Sequence, residues 1–92
     1  MKITIRRTAI AYDLPKKAEI EVPDGLTVRG LISHLALVYG SSVESDLINN
    51  DALTEGALIF LNGESLYQLP REVHTSVKEG DNLYFTVMVF GG

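Results

Sequence analysis

The stretch from residue 83 to residue 90 constrains the fold of this chain more than any other part of the sequence. It reads Leu-Tyr-Phe-Thr-Val-Met-Val-Phe, and aromatic and β-branched residues of this kind favour a packed β-strand. Successive side chains of a strand point to opposite faces of a sheet. Both alternating sets are largely apolar here, so the pattern predicts a last strand with apolar side chains on each face of its sheet.

Two glycines, Gly91 and Gly92, follow this predicted strand. Glycine has no Cβ atom and adopts both signs of φ, so a Gly-Gly tail can pass where any other residue would clash. The one chemical group of such a tail is the α-carboxylate of Gly92, which has an ordinary pKa of about 3.5 and is ionised at neutral pH. We therefore expect a flexible tail at 91–92, and a frayed chain end without a function is the alternative.

Length and composition limit the classes of protein to which the chain can belong. With 92 residues, of which 46% are hydrophobic, we expect one domain over residues 1–92. Because the chain has no cysteine, a disulfide framework, a thiolate metal site and an iron–sulfur cluster are excluded. The net charge of −4 argues against nucleic-acid binding, and it favours basic partners mildly over acidic ones.

The N-terminal segment and the hydropathy pattern bear on localisation. Residues 1–7 alternate like a strand and lack the apolar run of a signal peptide. No stretch approaches the roughly 18 consecutive apolar residues that a membrane span needs. We therefore expect a cytoplasmic protein without a membrane partner.

Alternation and capping signals predict two strands and a helix in the first part of the chain. The first strand covers about residues 2 to 11, with a bulge or a strand end near Arg7 and Thr8, and the second strand covers about residues 18 to 22. Thr27 is a suitable N-cap for a helix that stops at Gly40. The apolar positions of this helix share one face: Val28, Leu31, Ile32, Leu35 and either Val38 or Tyr39.

The second part of the chain predicts a loop and three further strands. Residues 41–56 are expected to form an irregular loop with one helical turn, and the apolar run 57–61 is of strand length. Asn62-Gly63 is a strong hairpin signal, residues 65–67 would return as a short strand, and residues 78–81 form the turn into the last strand. The order of elements fits an α+β roll, in which one mixed sheet carries a single helix across one face.

The sequence contains no recognisable catalytic constellation. Its two histidines, His34 and His74, are isolated from any motif, and a solvated or hydrogen-bonded histidine without a function is the simpler interpretation of each. No glycine spacing matches a dinucleotide-binding motif or a P-loop. We therefore expect no metal ligands and no stably bound cofactor.

The segment Val77-Lys78-Glu79-Gly80-Asp81, followed by the last strand and Gly-Gly, resembles the ThiS/MoaD family of sulfur-carrier proteins. A weaker match lies at Leu61-Asn62-Gly63. The resemblance implies an α+β fold of the β-grasp, ubiquitin-like type, with a mixed sheet of four to five strands and one main helix across one face. It also implies that the first and last strands lie side by side and parallel at the centre of the sheet.

The resemblance further implies a function that the chain does not perform alone. In sulfur carriers a separate adenylating enzyme uses ATP to convert the terminal carboxylate, here that of Gly92, to an acyl-adenylate. Sulfur transfer then gives a thiocarboxylate for a sulfur-accepting synthase in a molybdopterin, thiazole or related thiolation pathway. The chain would therefore be a carrier and co-substrate rather than an enzyme, with Gly91 allowing the tail to enter the partner's ATP site.

One set of side chains on the last strand is expected to bind the partner. A single helix covers only one face of the sheet, so the other face keeps an exposed apolar patch, which we assign to Tyr84, Met88 and Phe90. A loop or a weak homodimer that covers this face is the alternative. The residues before the glycines also depart from the family pattern, which often has Pro-Pro where this chain has Val87-Met88.

Two other functions fit the same sequence. A ubiquitin-like modifier would use the same adenylation step and then join Gly92 to protein lysines through an isopeptide bond. A β-grasp interaction subunit of a larger enzyme would use only the apolar sheet face, and its glycines would be incidental.

Overall fold

The computed structural model describes residues 1–88 and has a helix packed across a mixed sheet. Short 3₁₀ turns at Leu66–Gln68 and Glu72–His74 lie in the connection to the last strand. Within the described residues, no helix is both long enough and apolar enough to cross a bilayer. The helices and strands, in chain order, are β1 (Lys2–Arg7), β2 (Lys17–Glu21), α1 (Val28–Tyr39), α2 (Ser42–Leu47), β3 (Ile48–Asn49), β4 (Ala52–Leu53), β5 (Ala57–Leu61), β6 (Glu64–Ser65) and β7 (Asn82–Val87).

The main sheet has the strand order β2-β1-β7-β5-β6, while β3 and β4 form a separate two-stranded hairpin. β1 and β7 are parallel and lie side by side, with Ile5 opposite Leu83. The other pairs of the main sheet are antiparallel. The expected mixed sheet of four to five strands, with parallel first and last strands at its centre, is therefore confirmed, and it has five strands.

Helix α1 begins and ends where the sequence predicts. The Thr27 hydroxyl accepts a hydrogen bond from the Gly30 amide at 3.1 Å, which satisfies one of the free amides of the first turn. Gly40 ends the helix, and its amide donates to the carbonyl of Ala36 at 3.0 Å. Of the two candidates for the last apolar position of the helix, Tyr39 packs against the core, whereas Val38 is 60% exposed.

The core lies between α1 and the face of the sheet that the helix covers. The helix contributes Val28, Leu31, Ile32 and Leu35, all of which are buried. The three central strands contribute the alternate residues that point toward the helix, and these side chains are Ile3, Ile5, Ala57, Ile59, Leu61, Leu83 and Phe85. The alternation predicted for β7 is thus observed for Leu83 and Phe85, which pack in the core.

The first strand is shorter than expected, because β1 ends at Arg7 and not near residue 11. The Arg7 guanidinium donates from Nε to the Leu14 carbonyl at 2.7 Å and from Nη1 to the Thr8 carbonyl at 2.9 Å. The following loop is therefore folded around this side chain. Ala11 has a positive φ of 53° within the loop, a conformation that no strand contains.

The last strand also differs from the expected range of 83 to 90. β7 runs from Asn82 to Val87, and Met88 follows it outside the strand. Val89 and Phe90 lie outside the residues that the structure describes, as do Gly91 and Gly92.

Residues 41–56 are more regular than predicted. They form helix α2 and then the β3–β4 hairpin, in which Ile48 pairs with Leu53. Asn50 and Asp51 both have positive φ, at 53° and 61°, which is the conformation of a type I′ hairpin turn. The polar pair that interrupts the apolar pattern is therefore a turn between two short strands.

Asp13 joins the β1–β2 loop to the start of α2. Its carboxylate accepts a hydrogen bond from the Ser42 amide at 3.1 Å, and its own amide donates to the Ser42 hydroxyl at 3.2 Å. Hydrogen bonding by Ser42, through its hydroxyl first and its amide second, lowers the pKa of Asp13. Gly40 lies directly against this carboxylate.

Candidate functional site

The sequence predicts that a partner protein binds the uncovered face of the main sheet. Tyr84, Thr86 and Met88 alternate with the buried residues of β7 and are half-buried. Of the three residues predicted for the patch, the structure describes Tyr84 and Met88, whereas Phe90 lies outside the described range. We call the uncovered surface formed by β2, β1, β7 and β5 the open face.

An aromatic pair lies at the centre of the open face. Phe60 of β5 is opposite Tyr84 in the strand register, and their ring centroids are 6.2 Å apart at an angle of 32°. On the other side of Tyr84, the Arg6 guanidinium carbon lies 4.8 Å from the ring centroid. At this distance the cation is attracted to the face of the ring.

A shallow cavity of about 300 Å³ is built around these three side chains. The rings of Phe60 and Tyr84 line it, together with the polar side chains of Thr4 and Asn82. Concave surfaces with an apolar centre and a few polar groups are typical of binding sites. The complete lining is Thr4, Arg6, Phe60, Gly63, Asn82, Leu83 and Tyr84.

The polypeptide leaves β7 at a fixed point next to the open face. The Met88 amide donates to the Gly56 carbonyl at 2.8 Å, just beyond the pairing of Val87 with Ala57. On the opposite side of the strand, the hydroxyls of Thr8 and Thr86 are hydrogen-bonded at 2.6 Å. Gly92 is the fourth residue after Met88, and four fully extended residues reach about 14 Å.

Tyr67 is hydrogen-bonded to the first residue of β5, next to the residue that binds Met88. Its hydroxyl donates to the Ala57 carbonyl at 3.3 Å, next to the residue that accepts the Met88 amide. Burial, followed by the negative charges of Glu72 and Glu55, raises the pKa of Tyr67. The phenol therefore stays protonated at neutral pH and remains a donor.

A cluster of polar side chains lies far along the chain from the tail, and it joins α1 to α2 and to the β3–β4 turn. Arg29 of α1 donates to Glu44 of α2 at 2.7 Å and to Asp51 of the β3–β4 turn at 3.1 Å. The Ser33 hydroxyl donates to the same Glu44 oxygen at 2.6 Å. Hydrogen bonds from Ser33 and then from Arg29 lower the pKa of Glu44, which keeps it ionised. His74 reaches this cluster, with Nε2 at 3.6 Å from Asp51.

Residues 1–88 contain no group of three or more His, Asp and Glu side chains that could hold a metal ion. His34 lies on α1 and is half-buried, while His74 lies beside Asp51. The described residues therefore offer a binding surface and an exit point for the tail, and the chemistry that the sequence predicts remains assigned to Gly92.

Sequence reasoning missed Arg6 and Phe60, the two side chains that contact the Tyr84 ring on the open face. Phe60 lies in a continuous apolar run, in which every residue reads as core. Its outward direction follows only from the alternating burial along β5. Arg6 reaches Tyr84 because β1 and β7 are parallel neighbours, and no local pattern encodes that pairing.

The chain matches no protein-family model, and a comparison with curated proteins gives no match either. Solved structures do resemble it. The Haloferax volcanii HVO 2177 protein is 22% identical with a TM-score of 0.79, and the match covers 100% of this chain and 87% of that one. A chain of the Amycolatopsis orientalis BexX/CysO complex is 22% identical with a TM-score of 0.78, covering 98% and 99%.

SAMP1, the small archaeal modifier protein 1 of Haloferax volcanii, is 20% identical with a TM-score of 0.73, and the match covers 100% of both chains. At these identities the likeness concerns the fold, and it extends over the whole chain in each case. Together with the strand order and the helix on one face, it confirms the predicted architecture: the chain has the ubiquitin-like β-grasp fold.

Proposed function

We propose that this protein is a ubiquitin-like sulfur carrier whose Gly92 carboxylate is activated by a separate adenylating enzyme. The observation that carries the proposal is the path of β7. This strand lies at the centre of a β-grasp sheet, and Met88 is tied to Gly56 only four residues before Gly92. The Gly92 carboxylate thus follows within a few residues of a strand that is paired on both sides.

The chemistry requires an outside source of energy. A carboxylate oxygen of Gly92 attacks the α-phosphorus of ATP, pyrophosphate leaves, and an acyl-adenylate forms. Hydrosulfide, or a donor that delivers sulfur at the same oxidation level, then attacks the acyl carbon and displaces AMP, and loss of the proton leaves a thiocarboxylate. ATP belongs to the partner enzyme, and the protein itself is a co-substrate without a bound cofactor.

The folded domain contributes binding energy remote from the reacting atoms. Contacts made by the domain hold the tail in the partner's active site, and such contacts can offset the cost of orienting the carboxylate. We assign these contacts to Tyr84, Met88 and Phe90, and the small size of Gly91 and Gly92 permits entry into a narrow channel. The structural likeness to a chain solved in the BexX/CysO complex supports docking to a partner protein.

The thiocarboxylate would be consumed by a sulfur-accepting synthase, the second partner of the proposed cycle. The sulfur must leave the carrier, so this synthase has to bind the same tail after the activating enzyme releases it. Docking through the open face is compatible with both steps because only one partner binds at a time.

Conjugation to proteins is the second candidate function. The likeness to small archaeal modifier protein 1 favours it, since that protein is named as a modifier and has the same fold. In this alternative a lysine amine attacks the same acyl-adenylate and an isopeptide bond forms with Gly92. A third candidate, an interaction subunit that never uses the tail, requires only the open face.

Mass spectrometry of protein purified from native cells distinguishes the three functions. A carrier yields the terminal tryptic peptide 79–92 with one carboxylate oxygen replaced by sulfur, because Lys78 is the last basic residue. A modifier yields acceptor lysines that bear residues 79–92 after trypsin, or only Gly-Gly after chymotryptic cleavage behind Phe90.

The control for this measurement is a chain that lacks Gly92, expressed at the native level. Both products should vanish in that variant and persist in Gly30→Ala, which alters a glycine far from the tail. Recovery of only the unmodified carboxylate, with the cellular role intact in the Gly92 deletion, would leave the interaction subunit as the remaining function.

A further inference from the structure

Two positive charges of the open face are not neutralised by the described residues. Arg6 and Lys17 are directly opposite each other in the antiparallel register of β1 and β2. Neither makes an ion pair within residues 1–88. Like charges in opposite positions of a sheet destabilise it, so the fold itself gains nothing from this arrangement.

The remaining charges of the open face are paired. The Lys2 ammonium lies 3.2 Å from Glu19, and the N-terminal ammonium of Met1 lies 3.4 Å from Glu21 and 3.0 Å from Asp24. One half of the face is therefore nearly neutral, and positive charge is concentrated near Arg6. This local charge is opposite to the net charge of −4 for the whole chain.

Arg6 also separates two shallow cavities on this face. The cavity described above has the rings of Phe60 and Tyr84 on one side of Arg6. A second cavity, of about 640 Å³, lies on its other side and is lined by Lys17 and by Glu19, whose carboxylate is already paired with Lys2. An apolar ring surface and a pair of cations are thus adjacent, with Arg6 common to both.

We propose that the open face recognises a partner segment that carries an apolar side chain next to carboxylates. The apolar side chain would pack on Phe60 and Tyr84, and the carboxylates would be bound by Arg6 and Lys17. Arg favours such an interaction because its planar guanidinium can donate two parallel hydrogen bonds to a carboxylate while it stacks on an aromatic ring. The preference for acidic partners is the reverse of what the net charge favours.

This preference is a property of the surface. The identification of the partner as the activating enzyme rests on the proposed function. Charge complementarity of this kind raises the rate of encounter and rejects partners of the wrong sign. An open face that is positive around Arg6 and Lys17 would therefore orient the protein before Gly92 enters an active site.

The test is a titration of the ¹⁵N-labelled full-length chain, followed by NMR, with three blocked peptides of equal length. The first alternates glutamate and phenylalanine, the second lysine and phenylalanine, and the third glutamate and serine. We expect saturable shifts at Arg6, Lys17, Phe60 and Tyr84 with the first peptide, and binding weaker by about tenfold with each of the others.

Charge reversal provides the matched variants. Arg6→Glu and Lys17→Glu should each weaken binding of the glutamate–phenylalanine peptide about tenfold, whereas Lys78→Glu, an equal charge change in the turn before β7, should not. Their spectra establish that each variant is folded. Equal binding of the lysine–phenylalanine peptide, shifts confined to another surface, or no saturable shift at millimolar peptide would each overturn the proposal.

The outcomes for the surface and for the tail are separable. If the peptide binds as expected but native protein carries neither a thiocarboxylate nor an isopeptide bond, the proposed function fails and the surface preference stands. If the tail is modified but Arg6→Glu binds the peptide as wild type does, the surface proposal fails alone.

Discussion

Replacement of Gly40 by alanine tests how α1 is joined to the β1–β2 loop. Gly40 has φ 145° and ψ 157°, a backbone conformation that is essentially restricted to glycine. A Cβ atom at this position would also lie 2.5 Å from the Asp13 Cγ atom, well inside van der Waals contact. We expect Gly40→Ala to lower the free energy of unfolding by about 1–3 kcal/mol from the backbone conformation alone.

Replacement by alanine of Gly30, which lies inside α1, is the matched control. Gly30 has an ordinary helical φ, and a Cβ atom there would lie 3.4 Å from Leu26 Cδ2 and 3.5 Å from Thr27 Oγ1. These are ordinary contacts, so the higher helix propensity of alanine should raise the free energy of unfolding by up to about 1 kcal/mol. The two substitutions are chemically identical and are expected to change stability in opposite directions.

Urea denaturation followed by far-UV circular dichroism measures both effects, provided that the m-value stays constant. Repeating Gly40→Ala in an Asp13→Ala background separates the two causes, because that background removes the carboxylate and leaves the backbone conformation. The reasoning is refuted if Gly40→Ala is as stable as wild type. It is also wrong about Asp13 if the cost of Gly40→Ala is the same in both backgrounds.

Three further predictions concern acid stability, the helix cap and the open face. The pKa values of Asp13 and Glu44 are lowered in the folded state. Their contribution to stability is therefore complete above their unfolded pKa values of about 4, and it is lost as the pH falls through their folded-state pKa values. Urea midpoints measured from pH 7 to pH 2 should fall less steeply in Asp13→Asn and Glu44→Gln. Thr27→Ala should cost about 0.5–2 kcal/mol in the same denaturation assay, and no loss would mean that the cap is unimportant. Tyr84→Ala should lower the free energy of unfolding by only about 1 kcal/mol, because the ring is half-buried against Phe60. It should nevertheless strongly reduce thiocarboxylate formation in cells. Normal thiocarboxylate levels would show that Tyr84 is not part of the docking surface.

Local signals in the sequence were sufficient for most of the fold. The Thr27 cap, the Gly40 stop and the Asn62-Gly63 turn are each decided by backbone conformations or hydrogen bonds within a few residues. The Asn50-Asp51 turn is equally local, since two residues that tolerate positive φ lie between Asn49 and Ala52, but the polar segment around them predicts only an irregular loop. The end of β1 at Arg7 is harder to predict from the sequence, because it depends on the hydrogen bond from Arg7 to the Leu14 carbonyl.

The open face required information that no local pattern carries. Tyr84 could be placed on it from alternation along one strand, whereas the assignment of Met88 and Phe90 to the partner surface stays a prediction. The roles of Arg6 and Lys17 depend on the register between β1 and β2 and on the placement of β7 beside β1. The net charge of the whole chain averages over these positions, so it conceals the positive region around Arg6 and Lys17.

ATP–pyrophosphate exchange in an extract of native cells tests the central claim most directly, because exchange reports adenylation of the carboxylate before any later step. Purified full-length protein is predicted to stimulate the exchange in proportion to its concentration, and the same protein without Gly92 is predicted to give only the background rate. Equal stimulation by both proteins, or no stimulation by either, would contradict the claim that Gly92 is the activated group.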